Sequence, residues 1–444
     1  MFITLEDPRA KVQGSRDPLG VQPIWSLFGR EVVCNLTTVS RAVRGFTVTM
    51  LGRYFAEQLI ASGRAANEDA IPVFLRCEQA SAYARYISGE QQSGDEDGSD
   101  VVLGVTRVKK FLAEYNKHIH IANNPEGYIL SDQRTYGLWG LYSVAARVSG
   151  LIADGPVGLT DGSRDFIQSE YAPKFKTKEK ELLKLFSKNG RLWADKNRQP
   201  FKTWMNLLGS SLSPAEREFF GQSLRDAENF NREKNGDQSE SDRSRSQRQK
   251  QLSQLILTAP ANDELPGRAY MVHLWDQAKS NGYDELSQKL AQILRLEATI
   301  APAEYLFDQL LASDGQTVNS LAEKIKSLWG STVPHLESSF DTCLPQIRKS
   351  VNDGQVGQLV RFNDALASGN YKGAVDSLID WNKTVMLGRG SAAWVRRVGN
   401  KIEVKYRGRD TELPSGDSLE NLWRNSYFID SLISVCFQLE ASGG

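Results

Sequence analysis

Residues 252–387 constrain the fold most strongly, because they offer helical patterning almost without a break. Apolar positions recur at helical spacing through 252–257, 269–280, 284–311, 318–329, 336–352, 355–367 and 371–387. Gly282, Gly315, Gly330 and Gly369 mark the turns between them. Helices of this kind bury their apolar stripes only against other helices, which leaves an antiparallel bundle or an irregular helical array. No motif returns at a fixed period, so a regular solenoid is not expected. Pro302 lacks an amide hydrogen and crowds the preceding turn, so the long segment is expected to split near it.

One hairpin interrupts this pattern. Residues 393–398 and 401–406 flank Gly399-Asn400, a pair suited to a reverse turn. Ile402, Val404 and Tyr406 alternate with Glu403 and Lys405. An apolar helix over 418–439 closes the chain.

The amino-terminal part is also helical. A short helix begins near Pro23, a longer one covers about 39–61, and a third covers about 71–87. Val39, Val43, Phe46, Met50 and Tyr54 form a broad stripe on the second helix, and Arg41, Arg44 and Arg53 lie off it. Such arginines either meet phosphate or form a solvated, ion-paired face. Residues 88–100 are acidic and rich in Gly and Ser, so they are expected to be a flexible loop. Gly14-Ser-Arg-Asp-Pro-Leu-Gly20, Trp25, Phe28-Gly-Arg30, Asn35-Leu-Thr-Thr-Val39 and Arg44-Gly-Phe46 resemble the amino termini of uncharacterised bacterial proteins encoded beside helicase and restriction genes. That resemblance implies a part in DNA-directed antiviral defence and assigns no residue a role.

Residues 101–175 read as helix, short strand (His118 to Ala122), helix, tight turn (Asp154 to Gly158), helix. Ser131 or Asp132 can cap the middle helix, which carries Arg134 and Arg147. Leu159, Thr160, Gly162, Arg164 and Phe166 resemble the strand-to-helix junction of winged-helix modules. The resemblance covers about a sixth of the chain and implies DNA binding or protein interaction, since one fold serves both.

A basic segment follows, with Lys174, Lys176, Lys178, Lys180, Lys184 and Lys188 among interleaved aromatics. Together with Arg134 and Arg147, these lysines are the candidate nucleic-acid-binding residues, and they are expected to share one surface. Phe175, Phe186, Trp193, Phe201 and Trp204 either stack on unpaired bases or belong to a core. Ser213-Pro-Ala-Glu216 is a capping-box helix start, and 228–251 is polar enough to be a linker or a solvated helix extension.

The expected fold is mainly α, a multi-domain helical protein with a winged-helix-like central module and a carboxy-terminal β-hairpin. Its segments are a helical unit at 1–90, the loop at 91–100, and the module with its basic extension at 101–227. The polar linker at 228–251 and a helical domain at 252–444 carrying the hairpin at 393–407 complete it.

Lys+Arg and Asp+Glu both number 54, so any nucleic-acid surface must be a local patch. Cys34, Cys77, Cys343 and Cys436 fit no zinc spacing and are expected to be reduced and mostly buried. Neither a basic-apolar leader nor an apolar run of membrane-spanning length is present, which fits a cytoplasmic protein without membrane partners.

Glu403 and Lys405 resemble the acid-x-Lys pair of metal-dependent nucleases, but the preceding strand offers Trp394, Arg396 and Arg397 in place of an acid. His118 and His120 are too few for a closed zinc site. No catalytic residue, metal site or cofactor is therefore assigned. The expected function is a DNA-associated, non-enzymatic subunit, with duplex DNA and a helicase or nuclease subunit as partners. The alternatives are a purely protein-binding scaffold and a divergent nuclease.

Overall fold

A computed structural model describes residues 17–92, 103–114, 118–155, 157–193, 201–209, 211–232, 238–259, 267–331, 333, 338–406 and 412–441. The fold is mainly helical, with a small antiparallel hairpin near the carboxy terminus. Helices α1 (Gln22–Gly29), α2 (Val43–Ala61), α3 (Ala70–Gln92) and α4 (Val105–Glu114) precede strand β1 (His118–Ile121). Then come α5 (Gln133–Tyr136), α6 (Leu138–Val148), α7 (Asp161–Phe166), α8 (Ala172–Phe175) and α9 (Glu179–Ser187). Strand β2 (Gly190–Trp193) leads to α10 (Phe201–Gly209), α11 (Pro214–Phe220) and α12 (Glu240–Thr258). Next are α13 (Arg268–Ser280), α14 (Asp284–Leu311), α15 (Val318–Trp329), α16 (Leu344–Ile347), α17 (Asp353–Ala367) and α18 (Tyr371–Gly388). The hairpin β3 (Val395–Val398) and β4 (Lys401–Val404) precedes the last helix, α19 (Ile429–Glu440). Among the described residues no helix is long and apolar enough to cross a membrane.

The chain forms two compact units, and each is assembled from separated segments. One contains Val33–Thr258 and Phe428–Gly444, the other Met1–Val32 and Ala259–Tyr427.

In the 33–258 unit α2 is the axis. Its residues are buried around nearly the whole helix, including Arg44 and Arg53, which the sequence pattern left off the apolar stripe. Neighbours on several sides explain this, since α2 packs on α3, α6, α9 and α19. Arg53 donates to the Gly155 carbonyl at 2.8 Å and its guanidinium lies 4.7 Å from the Trp139 ring centre. Gln438 of α19 closes the start of α2, accepting from the Val43 amide at 3.0 Å and donating to the Arg41 carbonyl at 2.8 Å.

The expected helix after Asp132 is divided in two. Asp132 caps α5 through the Thr135 amide. At Gly137 the backbone turns extended, and the Glu78 carboxylate of α3 accepts from the Leu138 amide at 2.5 Å, acting as the cap of α6. A side chain at 137 would place its Cβ 2.3 Å from the Gln133 carbonyl oxygen and 2.6 Å from Glu78. Gly137→Ala is accordingly expected to destabilise this unit by about 1–3 kcal/mol, the usual range for forced overpacking, as read by urea unfolding. A loss under about 0.5 kcal/mol would show that the turn relaxes freely.

Around this cap lies a fully buried amide network. Gln133 donates to Glu78 at 2.9 Å and to the Leu75 carbonyl, and it accepts from Gln79 at 3.0 Å. Gln79 in turn pairs with both backbone groups of Ala122, which fastens the end of β1 to α3. Strand β1 pairs antiparallel with β2, whereas the turn at Asp154 to Gly158 is closed by a single bridge between Ile152 and Leu159.

Residues 240–251 of the polar segment form the first half of α12. Its Gln249 is fully buried and bonds Cys34, Asn35 and the Leu224 carbonyl. A buried glutamine of this kind satisfies loop backbone, which composition alone cannot reveal. Residues 93–100 of the acidic segment and 233–237 of the polar one lie outside the described residues.

In the 259–427 unit, α14 runs unbroken through Pro302, contrary to the expected split. Ile300, Ala301, Pro302, Ala303, Leu306 and Phe307 are all buried there, and that burial outweighs the proline's cost of about 3 kcal/mol. The expected helix at 336–352 is shorter, with a 3-10 turn over Ser338–Cys343 followed by α16, which has Pro345 in its first turn. Helices α17 and α18 pair, and Asn382 of α18 holds the Trp394 amide at 2.8 Å and the Pro18 carbonyl at 3.0 Å. In the hairpin Gly399 has φ +62°, which explains a glycine at the turn.

Candidate nucleic-acid interface

The basic segment is fixed from beneath by aromatic packing. Phe175, Leu182 and Phe186 are fully buried. Phe55 of α2 lies 5.0 Å from Phe186 and 5.4 Å from Phe175 between ring centres, and Trp204 of α10 lies 5.3 Å from Phe186. Phe201 is buried as well, so these aromatics form a core and offer no stacking platform. Arg76 of α3 closes the end of α9, donating to the Phe186 carbonyl at 2.6 Å and the Ser187 carbonyl at 3.2 Å.

The opposite side of this segment carries the lysines. Lys174 pairs with Glu170 at 2.5 Å and Lys178 with Glu181 at 3.2 Å. Glu179 accepts from the Tyr54 hydroxyl at 3.3 Å. Lys176, Lys180, Lys184 and Lys188 remain, all exposed and without an ion-pair partner among the described residues. Lys180 and Lys184 stand one turn apart on α9, while Lys176 lies on the 3-10 turn before the helix and Lys188 on extended backbone just after it.

The two arginines lie elsewhere. Arg134 is exposed on α5, and Arg147 on α6 pairs with Asp154 at 3.1 Å. Helix α6 meets α2 at Gly45, Phe46 and Arg53, through Tyr142 and Trp139. Helices α8 and α9 meet it at Tyr54 and Phe55. Positions 53 and 55 point about 200° apart on a helix, so arginines and lysines are carried by elements on opposite sides of α2. Of the three arginines noted at the sequence level for phosphate, Arg44 and Arg53 are buried and only Arg41 is exposed.

The residues of the winged-helix resemblance are used locally. Thr160 caps α7 through the Ser163 amide, and Arg164 pairs with Asp161 at 2.8 Å and Glu57 at 3.4 Å. Glu57 also accepts from the Leu159 amide at 2.9 Å.

Elsewhere, both Glu403 oxygens accept from one nitrogen of Arg396 at 3.0 Å across the hairpin. Asp376 pairs with Arg397 and Lys372 at 3.0 and 3.1 Å. Among the described residues no group of three His, Cys, Asp or Glu side chains could hold a metal ion. The four cysteines are free and buried.

Sequence reading missed two polar clusters. One surrounds a cavity beside α2 and includes Glu78, Arg85 and Tyr142. The other is a carboxylate pair, Glu297 and Glu304, in the 259–427 unit. Charged residues inside the apolar runs of α3 and α14 were the available signal. Comparison with known protein families, with curated proteins and with solved structures finds no match.

Proposed function

We propose that the 33–258 unit holds a nucleic-acid backbone along α9, and that the chain serves as a DNA-associated, non-enzymatic subunit of a larger complex. The observation that carries this reading is the group Lys176, Lys180, Lys184 and Lys188 on and beside α9, four exposed cations whose acidic neighbours are engaged elsewhere. Uncompensated lysines at regular spacing repel one another, and a line of phosphates relieves that repulsion. Phe175, Phe186, Phe201 and Trp204 are buried, and the side chain of Trp193 lies outside the described residues, so the contact is read as one to the phosphate backbone, without base preference. The winged-helix-like junction at 159–166 and the amino-terminal resemblance support duplex DNA and a helicase or nuclease partner.

The test is fluorescence anisotropy with labelled duplex and single-stranded oligonucleotides between about 50 and 200 mM salt. Four phosphate contacts give a log–log salt slope of about −3.6, an affinity loss of about 150-fold over that range. Lys180→Gln with Lys184→Gln should reduce the slope to about −1.8 at every sequence tried. Absence of binding at 50 mM salt, or an unchanged slope in the double variant, would overturn the reading and leave a protein-binding scaffold.

A further inference from the structure

Arg76 of α3 is 6% exposed, and among the described residues no carboxylate lies within ion-pair distance of it. A buried cation without a counter-charge is costly, so its placement calls for a reason. The last carbonyls of a helix have no partner within it and carry the negative end of its dipole, which repels phosphate. On α9 that end lies at Phe186 and Ser187, and Arg76 donates to both carbonyls, at 2.6 and 3.2 Å. A third donation goes to the Asn189 side chain at 3.5 Å. The same Asn189 oxygen accepts from the Asn123 amide at 3.0 Å. Burial lowers the guanidinium and the field of Asp69 raises it, and an arginine keeps its charge at neutral pH under either influence.

Lys188 stands between these anchored residues. Its backbone is extended, with φ −146° and ψ 159°, and Gly190 just beyond it pairs with Ile121 in the β1–β2 ladder. Gln79, one turn along α3 from Arg76, holds the adjacent Ala122 by both backbone groups. Lys188 therefore leaves a corner that α3 and the ladder hold from two sides, whereas Lys180 and Lys184 lie on the helix itself.

We infer that Arg76 is a positioning residue for a phosphate contact at Lys188. It fixes the corner from which the lysine reaches out, and it covers the helix end that would otherwise repel the anion. Arg76 is too deeply buried to meet a nucleic acid itself, so its removal acts through Lys188. This inference rests on the nucleic-acid reading of α9.

The test compares the unaltered chain, Arg76→Met, Lys188→Gln and the double variant by fluorescence anisotropy with a labelled duplex between about 50 and 200 mM salt. One phosphate contact of four is worth about 0.9 of the log–log slope. Arg76→Met should therefore shorten the slope from about −3.6 to about −2.7 and weaken binding about tenfold at 50 mM salt. Lys188→Gln should do the same, and adding Arg76→Met to it should cost nothing further. Paired instead with Lys180→Gln, about two turns away, the losses should add. An arginine with a merely structural role would leave the slope alone and cost the same with or without Lys188. Should Arg76→Met not fold, Asn189→Ala decides, because it frees the same corner from the exposed side. It should weaken binding at least about threefold, again only while Lys188 is present. No binding by the unaltered chain at 50 mM salt would overturn the nucleic-acid reading and this inference together. Binding by the unaltered chain with an unchanged slope in the variant that folds, or equal losses with and without Lys188, would overturn this inference alone.

Discussion

Arg44→Ala destabilises the 33–258 unit by about 3–5 kcal/mol, the usual cost of stripping one partner from a buried ion pair. Arg44 is 7% exposed and Glu216 1%, and their side chains are in direct contact. Arg44 also donates to the Ser211 carbonyl at 3.2 Å. Glu216 is the capping-box acid of α11, accepting from the Ser213 amide at 2.7 Å and from the Tyr171 hydroxyl at 2.6 Å. Burial, then the adjacent carboxylate, holds the Tyr171 hydroxyl well above its ordinary range, so it stays protonated and keeps donating. Without the arginine the carboxylate retains its neutral donors but loses its counter-charge. Adding Glu216→Gln to Arg44→Ala should recover part of the loss, since the amide oxygen can still accept from Tyr171 and no charge remains buried. Urea denaturation of the unaltered chain and the two variants is the measurement. A loss under about 1 kcal/mol in Arg44→Ala, or no recovery in the double variant, would show that the pair does not hold α2 to α11.

Arg44 also shows where sequence reading stops. Periodicity marks one apolar face, and an arginine off that face looks solvated. A helix packed on several sides buries such an arginine, and its partner, Glu216, lies 172 residues away in sequence. The capping box at Ser213 and Glu216 was legible because both halves are three residues apart; the use of the same glutamate by Arg44 was not. The hairpin at Gly399-Asn400 was legible for the same local reason, as was the amphipathic α9 with lysines on one side and Leu182 and Phe186 on the other. The division of one expected helix at Gly137 depends on Glu78 from another helix, and the continuity of α14 through Pro302 depends on burial. Of the candidate interface, the spacing of the lysines could be read directly. Which of them are neutralised by Glu170 and Glu181, and on which side of α2 Arg134 and Arg147 fall, required the packing.

The second large effect is a loss of stability in the 259–427 unit as pH rises from about 5 to 8. Glu297 and Glu304 stand about two turns apart on α14, near the chain at 424–427. Glu297 is fully buried and accepts from the Arg424 amide at 2.6 Å, the Asn425 amide at 2.9 Å and the Tyr427 hydroxyl at 2.6 Å. Glu304 accepts from the Asn425 side chain at 2.8 Å, and the Arg424 guanidinium is 3.8 Å away. Burial raises the Glu297 carboxyl despite these donors. Burial first, and then the charge on Glu297, pushes Glu304 up to about 8, although Arg424 opposes the shift. The folded state therefore holds a proton that the unfolded chain releases near the ordinary value of 4.5. An acid whose folded value is raised stabilises fully below its unfolded value, and that contribution disappears as pH rises through the folded one. The window runs from about 4.5 to 8. Glu304 is 21% exposed on its side chain, so solvent screening trims the effect, and a loss of about 2–3 kcal/mol across the window is expected. Glu304→Gln keeps the polar contact with Asn425 and carries no titratable proton. Its melting temperature should therefore vary less between pH 5 and pH 8 than that of the unaltered chain, and should exceed it at pH 8. Equal pH dependence in the two proteins would mean that Glu304 ionises in its ordinary range and that Arg424 and Asn425 hold it as a carboxylate.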